Sequence, residues 1–338
     1  MYTLLVHEAI VEFGDKMAYD NLSRIPVVCD TGIKQQGGLL NLPEKVILGV
    51  GLACLSFSTI CLNFIIIFRF ICRAKHRMFT RIFLVSLAVS DLMVAVSVMP
   101  FGIYGLFYNN IGIFGEQTCF IANSLDVMFT TTSIIHFSCL SLERYIAICR
   151  PFSYNKWFTV RKILVISLIC WGFPLALSFG LISLKVHILD IEELSECAKR
   201  SGCILITNAP YAVIGSLCSF FLPSAFILWG NTQVYLTVKH RLQQDSSSKV
   251  PNINTSDKNI RRTESRVART IATMTGCFFV LWAPFFTINI IDPFVNYSTS
   301  AAVIRSVTWL GYANSAINPI VYLQSEWFIH ESTLYSTR

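Results

Sequence analysis

Seven apolar segments, each long enough to cross a lipid bilayer as a helix, constrain the fold of this chain most. A helix needs about 20 largely apolar residues to span the hydrocarbon core. The chain is 54% hydrophobic and 14% charged, with a mean hydropathy of +0.56, and this composition excludes a soluble globular enzyme. We therefore predict an all-α membrane protein, a seven-transmembrane helix bundle. The segments cover residues 47–72, 79–104, 119–148, 163–186, 206–237, 268–292 and 301–323.

The basic residues are divided unevenly between the two sides of this bundle. The segments 69–81, 144–162 and 239–269, together with the tail, carry 19 of the 27 Lys and Arg residues. Loops rich in Lys and Arg remain in the cytosol, so we predict an extracellular N-terminus and a cytosolic C-terminus. The net charge of +7 is then an orientation signal and does not indicate a nucleic-acid partner.

The predicted organisation has three parts. An extracellular tail covers 1–45, a seven-transmembrane domain covers 46–323, and a short cytosolic tail covers 324–338. The third cytosolic loop, 239–263, contains a polar, serine-rich stretch that is typical of a flexible insert. We expect no removable signal peptide, because no charged region, apolar region and cleavage site open the chain.

Sequons and cysteines on the outer side are candidates for covalent modification. Asn21 and Asn296 each begin an Asn-x-Ser sequon, and we predict glycosylation at both. An even number of outer cysteines permits two disulfide bonds, with three alternative pairings. These cysteines are Cys29, Cys119, Cys197 and Cys203.

One carboxylate, Asp126, lies within the apolar part of the third segment, well before the Glu-Arg-Tyr triplet near its end. It precedes Arg144 of the Glu-Arg-Tyr triplet at 143–145 by eighteen residues, which is about 27 Å of helix. If Arg144 lies at the cytosolic face, Asp126 lies near the outer face. An ionisable group at that depth is costly and persists mainly where it meets a partner or a ligand. We infer a cationic ligand; the alternative is a structural carboxylate that pairs with another helix.

Polar and aromatic motifs stand at fixed places in all seven segments. They are Asn63, Leu-Ala-Val-Ser-Asp-Leu at 87–92, Ser-Leu-Asp-Val-Met-Phe-Thr-Thr at 124–131, Glu-Arg-Tyr at 143–145, Trp171, Phe-Phe-Leu-Pro at 220–223, Trp-Ala-Pro-Phe-Phe at 282–286, Ile-Asp-Pro-Phe-Val-Asn-Tyr-Ser-Thr at 291–299, Trp-Leu-Gly-Tyr at 309–312 and Asn-Pro-Ile-Val-Tyr at 318–322. Together these motifs resemble a rhodopsin-like (class A) G-protein-coupled receptor over about 45–323. Within that class the chain looks like an amine receptor, closest to the trace amine-associated receptors. Serotonin receptors share much of the pattern, notably the motif at 282–286.

The resemblance implies a multi-pass plasma-membrane receptor for a small protonated amine, whether a trace amine, a biogenic amine or a polyamine. It implies signalling through a heterotrimeric G protein and a sensory, olfactory role; a serotonin-type monoamine receptor is the alternative. The implied partners are the amine, the G protein and the lipid membrane, and no cofactor is required. In the implied ligand site, the carboxylate pairs with the ammonium and the aromatic rings offer cation–π surface. Its residues are Asp126, Val127, Thr130, Ser216, Ser219, Trp282, Phe285, Phe286, Trp309 and Tyr312.

Two features of that ligand site remain open. Ser216 and Ser219 either bond a polar part of the ligand or serve helix packing. Their face offers no second acid for a diamine, although acidic residues in the second outer loop can supply one. Those residues are Glu192, Glu193 and Glu196.

An activation switch is also implied. Arg144 beside Glu143 resembles the activation lock of the family, with Glu264 as a second partner. Breaking the lock frees the sixth span to swing about Pro284; a purely structural helix-end ion pair is the alternative. The full set of switch residues is Glu143, Arg144, Tyr145, Glu264, Phe278, Pro284, Asn318, Pro319 and Tyr322.

The family resemblance further implies an allosteric sodium ion and a disulfide pattern. Asp91, Ser133, Asn314 and Ser315 resemble the family's sodium pocket, and a polar network filled with water is the alternative. By the same resemblance Cys119 pairs with Cys203 and Cys29 with Cys197, with an exchange of Cys197 and Cys203 left open.

Other functions find less support in the sequence. An opsin needs a lysine in the seventh span, where Tyr312 stands in its place. A transporter would show internal repeats. A peptide-activated receptor would not explain the carboxylate of Asp126. No span contains a nucleophile–base pair or a metal-ligand cluster, so we predict that the protein is not an enzyme. One departure from the family is Asn231, at a position where most relatives have a tyrosine.

Overall fold

Seven long helices, numbered α1 to α7 in chain order, build the protein. The computed structural model describes residues 41–72, 78–107, 115–201, 203, 205–247 and 255–336, and these contain no β-strand. The helices are α1 (Leu42–Cys72), α2 (Met78–Phe107), α3 (Gly115–Cys149), α4 (Val160–Ser183), α5 (Ala209–Ser216, continued through Leu217–Phe221 and Leu222–Ser247), α6 (Thr255–Ile291) and α7 (Ala301–Ser336).

Among the described residues, six helices, α1 to α6, are long and apolar enough to cross a membrane. The seventh, α7, carries Asn314, Ser315 and Asn318, whose polar side chains lower its hydropathy. It packs along α6 and against α1, and so completes the predicted seven-helix bundle. The fold class predicted from the apolar segments is therefore confirmed.

Several helices extend beyond the predicted apolar segments. Within the predicted third loop, 239–263, α5 continues to Ser247 and α6 begins at Thr255. The predicted cytosolic tail is also helical, because α7 continues to Ser336. Apolar composition marks the part of a helix that lies in lipid, whereas Lys, Arg and Gln continue a helix readily in water. Residues 1–40, which form most of the predicted outer tail and include Asn21, lie outside the described residues.

Three of the helices contain a π-helical turn, at Val94–Val98 in α2, Ala176–Gly180 in α4 and Leu217–Phe221 in α5. A π turn inserts one residue into a helix and changes the direction in which the following side chains point. In α2 the Oγ of Ser56 donates to the carbonyl of Ala95 at 2.9 Å, so a polar group of α1 bonds the backbone of this turn.

The buried apolar side chains form two clusters. The central cluster joins α2, α3, α5, α6 and α7, and the other joins α1, α2, α3 and α4 in the half of the bundle that is predicted to face the cytosol, termed the inner half. Large apolar side chains on the outward faces of α1 and α4 are exposed, as expected for surfaces that face lipid. The central cluster includes Phe129, Phe137, Phe220, Ile227, Phe278, Trp282, Phe286 and Tyr312.

Candidate functional site

Asp126 lies on α3 with a carboxylate that is only partly satisfied by the protein. The hydroxyl of Tyr312 on α7 donates to its Oδ2 at 2.7 Å, the one side-chain hydrogen bond that it receives from the described residues. Tyr312 is buried, whereas Asp126 is half-buried and keeps accessible surface. A carboxylate can accept about four hydrogen bonds. Most of that capacity therefore remains open to a ligand.

Aromatic rings of α5, α6 and α7 pack in one cluster with Tyr312, the partner of this carboxylate. The ring of Trp309 stands edge-on to Tyr312, with centroids 5.5 Å apart. On α6 the centroid of Trp282 is 5.8 Å from that of Phe286, and Phe286 stacks on Phe220 of α5 at 4.5 Å. Such rings can bind the apolar body of an amine and the face of an ammonium. The predicted Phe285 belongs to the same set, 5.2 Å from Phe286.

Gly311 on α7 permits the close approach of Trp282. A Cβ atom at Gly311 would lie 2.6 Å from the indole ring, a distance that requires the ring to move. The glycine thus allows the indole of α6 to contact the backbone of α7 one residue before Tyr312.

The predicted hydroxyl residues make their bonds within the protein. Thr130 donates to the backbone carbonyl of Asp126 at 2.6 Å, and Ser219 donates to the carbonyl of Gly215 at 2.6 Å. The Oγ of Ser216 accepts from Nδ2 of Asn289 on α6 at 3.0 Å. Thr130 and Ser219 therefore offer a ligand only oxygen lone pairs, whereas the Ser216 hydroxyl can still donate its proton. Val127 is half-buried next to Asp126 on α3.

Asn289 itself was missed by the sequence reasoning. It lies one helical turn outward of Phe285, so the i, i+4 spacing could have placed it on the same face of α6. Asn289 and Ser216 connect α5 to α6 in the outer half of the bundle.

The outer rim is tied by covalent and hydrogen bonds. A disulfide bond joins Cys119, near the start of α3, to Cys203, with Cα atoms 5.4 Å apart. The hydroxyl of Tyr297 donates to the carbonyl of Thr207 at 3.0 Å. Burial and the nearby Asp292 carboxylate raise the pKa of Tyr297 above its ordinary value, so its hydroxyl remains a donor.

Of the other sites predicted on the outer side, the structure describes Asn296 and the acidic residues of the second outer loop. Cys29 and the side chain of Cys197 lie outside the described residues, so their predicted bond remains a prediction. Asn296 is exposed at the end of a short helical turn between α6 and α7. Glu192 and Glu193 are exposed in the first turn of a helix, Glu192–Ser201, in the second outer loop.

Asp91 on α2 is fully buried, with 0% of its surface exposed, and is surrounded by donors. The hydroxyls of Ser133 and Ser315 both donate to its Oδ1 at 2.8 Å. Nδ2 of Asn318 lies 3.4 Å from Oδ2. Asp91 therefore connects α2 to α3 and α7 through three polar contacts.

The surroundings of Asp91 have the chemistry of a hard-cation site. They combine a carboxylate with the hydroxyl oxygens of Ser133 and Ser315, and such cations prefer oxygen ligands. Asn314, which precedes Ser315, has a buried Oδ1 that receives no hydrogen bond within the described part of the chain. The described residues contain no group of three or more His, Cys, Asp or Glu side chains that could hold a metal ion.

At the inner end of α3, Glu143 is fixed and Arg144 is comparatively free to move. Glu143 is buried, and its Oε1 accepts from the hydroxyls of Thr80 and Tyr154, each at 3.0 Å. Arg144 Nε lies 3.6 Å from Oε2 of Glu143, and the arginine side chain is 37% exposed. Tyr145 packs on Trp229 of α5, with centroids 4.7 Å apart. The side chain of the predicted partner Glu264 lies outside the described residues.

A chain of ring contacts leads from this aromatic cluster toward the inner end of the bundle and reaches Phe137 on α3. Phe278 on α6 is 1% exposed and stacks on Phe137 of α3, with centroids 5.1 Å apart. It also lies 5.7 Å from Phe220. Pro284 lies within α6 between Phe278 and Phe286, and Pro319 lies within α7 before the half-buried Tyr322. Both prolines remove a helix hydrogen bond and favour bending there.

A buried histidine network was not predicted from the sequence. Nδ1 of His136 lies 2.8 Å from the carbonyl of Thr132, so this nitrogen donates. In the neutral ring Nε2 then accepts from Ser86 Oγ at 2.8 Å, and Trp171 Nε1 donates to the same Oγ at 2.9 Å. The network joins α2, α3 and α4, and no spacing in the sequence brings these residues together.

Comparison with known proteins agrees with this architecture. The family model for the 7 transmembrane receptor (rhodopsin family) matches residues 62–322. The human 5-hydroxytryptamine receptor 4 is 35% identical over 82% of this chain and 76% of its own length. Trace amine-associated receptor 13c of Danio rerio is 31% identical over 74% of this chain and 73% of its own length. Dopamine receptor 1 of Drosophila melanogaster is 29% identical over 93% of this chain and 66% of its own length.

These matches confirm the resemblance that the motifs gave, to class A receptors and to trace amine-associated receptors among them. They also agree with the prediction that the protein is not an enzyme, since the matched proteins are receptors. The chain belongs to the rhodopsin family of seven-transmembrane, G-protein-coupled receptors.

Proposed function

We propose that this receptor binds a small protonated amine at Asp126 and passes the signal to a heterotrimeric G protein. It does so from the plasma membrane with its N-terminus outside the cell, as the charge of the loops predicts. The observation that carries the proposal is the state of Asp126, a half-buried carboxylate with one donor and open acceptor capacity. An ammonium supplies both the missing N–H donors and the opposite charge.

The names of the relatives support an amine as the ligand class. They are receptors named for 5-hydroxytryptamine, for trace amines and for dopamine. The chain matches all three kinds at similar identity, so the serotonin-type alternative is not better supported than the trace-amine assignment. An olfactory role follows from the trace-amine resemblance alone and remains a prediction.

The ring contacts offer a route from ligand to cytosol. A ligand on Asp126 touches the rings of α6 and α7, and Phe286 and Phe220 connect these rings to Phe278. If a ligand displaced these rings, α6 would bend at Pro284 and its inner half would tilt. At the inner end of α5 an open depression of about 630 Å³ is lined by residues that include Lys239, His240 and Arg241. Its basic lining favours an acidic surface on the G protein.

The buried acid Asp91 supports a second part of the proposal, a sodium ion that modulates the receptor. Its carboxylate and the two serine hydroxyls that contact it would give the ion oxygen ligands. A network of water at the same place is the alternative. With either the sodium ion or the water network, the proposed amine binding needs no cofactor.

A panel of amines tests the proposed function. Cells that display the receptor are exposed to monoamines and diamines, and cyclic AMP and calcium are recorded. We expect at least one amine to activate the wild type. The variant Asp126→Ala should lower its potency at least 100-fold at equal surface expression, a loss of about 2.7 kcal/mol.

The matched control is Asp190→Asn, which removes one negative charge from the outer surface at an exposed position. It should change potency less than about twofold, because exposed charges are screened. An equal loss in both variants would show that the outer surface charge, rather than Asp126, attracts the amine.

A further inference from the structure

A polar pair connects α5 and α6 in the inner half of the bundle. One member is Asn231, the residue at which the sequence departs from the family. Nδ2 of Asn231 on α5 donates to Oγ1 of Thr275 on α6. Both residues are buried, with 9% and 8% of their surfaces exposed. Oδ1 of Asn231 is buried too and receives no hydrogen bond from the described residues.

The surroundings of this pair are apolar. On α5, Asn231 lies in the stripe of buried residues Ile227, Val234 and Val238, at helical spacing. On α6, Thr275 lies beside buried Met274 in the sequence. Burying an amide in such an apolar stripe costs free energy unless the amide forms hydrogen bonds. The Asn231–Thr275 bond therefore makes close packing of the two helices more favourable than their separation.

The position of the pair relative to Pro284 makes it sensitive to bending of α6. Thr275 precedes Pro284 by nine residues, which is about 13.5 Å along the helix. A swing of about 10° at Pro284 moves Thr275 by about 2 Å, and a hydrogen bond does not survive that displacement. Opening of the inner end of α6 thus requires the bond to break.

We propose that Asn231 and Thr275 form a polar clasp that holds the inner half of α6 against α5 in the resting receptor. The clasp sets the level of signalling in the absence of ligand. This inference rests on the proposed G-protein signalling, in which the inner half of α6 moves. The clasp restrains the motion from the α5 side, independently of the Glu143–Arg144 pair on α3.

Variants of each partner test the clasp through ligand-free signalling at equal surface expression. Asn231→Leu and Thr275→Val remove the bond and keep the number of side-chain heavy atoms. Each should raise basal output about threefold, as expected for one interhelical hydrogen bond in a membrane. The double variant should equal either single variant, because both changes remove the same bond. Thr275→Ser keeps the hydroxyl and should retain the wild-type level.

Ser224→Ala is the matched control on α5, since Ser224 is buried and its hydroxyl has no hydrogen-bond partner in the described structure. It should leave basal output unchanged. Unchanged output in Asn231→Leu and Thr275→Val would overturn the clasp, as would effects that multiply in the double variant.

A conformational reporter separates failure of the clasp from failure of the proposed function. A fluorophore is attached to the variant Thr273→Cys, at an exposed position on α6, in receptors with and without Asn231→Leu. A shift of its emission without ligand supports the clasp even where no G-protein response is found. An identical spectrum in both receptors contradicts the clasp, whatever the signalling assay shows.

Discussion

Asp126 and Asp91 are both acids inside the helix bundle, and their surroundings differ in a way that separates two roles. Asp91 is completely buried and receives contacts from Ser133, Ser315 and Asn318. Asp126 keeps accessible surface and, among the described residues, receives one side-chain hydrogen bond, from Tyr312. A carboxylate with several internal donors can hold helices together, whereas one with open capacity is suited to a partner from outside. The number of donors, rather than depth alone, distinguishes the two.

The largest expected effect compares the two acids directly in ligand binding. Asp126→Asn should weaken the binding of an active amine at least 100-fold, because the ammonium loses its opposite charge. Asp91→Asn should change that affinity less than about tenfold, because Asp91 does not touch the ligand. Competition binding on membranes measures both. Equal losses in the two variants would remove the distinction between the acids.

A smaller effect is expected at Gly311, which immediately precedes Tyr312, the α7 partner of Asp126. Gly311→Ala places a methyl group 2.6 Å from the ring of Trp282, so the indole must move. We expect about a tenfold loss of amine potency, typical of an overpacked core position. Gly105→Ala is the control, because a Cβ there meets nothing within 4 Å. Wild-type potency in Gly311→Ala would show that the position of Trp282 does not matter for the response.

The smallest effect concerns sodium. If Asp91 holds the ion in the resting receptor, replacing choline by sodium should lower agonist affinity about fivefold, since the ion favours the resting state. The same exchange should have no effect on Asp91→Asn. Binding curves at constant ionic strength provide the measurement. A wild-type affinity that is independent of sodium would favour the network of water.

The sequence contained much of this arrangement, for physical reasons that can be named. Apolar length identified the seven helices, and eighteen residues of helix placed Asp126 far from Arg144. The ends of α5 and α7 differ from the predicted segment ends, because both helices continue in water beyond the apolar residues. Composition reports the lipid boundary and not the end of a helix.

Contacts between helices were harder to predict. Asn289 with Ser216, Asn231 with Thr275, and the bonds of His136 all depend on how each helix is rotated about its axis. The π-helical turn at Leu217–Phe221 changes that rotation within α5, and its position is not apparent from hydrophobic periodicity. Resemblance to the family motifs grouped Ser133 and Ser315 with Asp91 before their contacts were known.

The central claim is that a carboxylate in the bundle binds positively charged nitrogen, and the most direct test varies both charges together. The affinities of an active amine and of its neutral alcohol isostere are measured on the wild type and on Asp126→Asn. We expect the wild type to prefer the amine at least 100-fold and the variant to lose this preference. A preference of the same size in both receptors would show that Asp126 does not bind the ammonium.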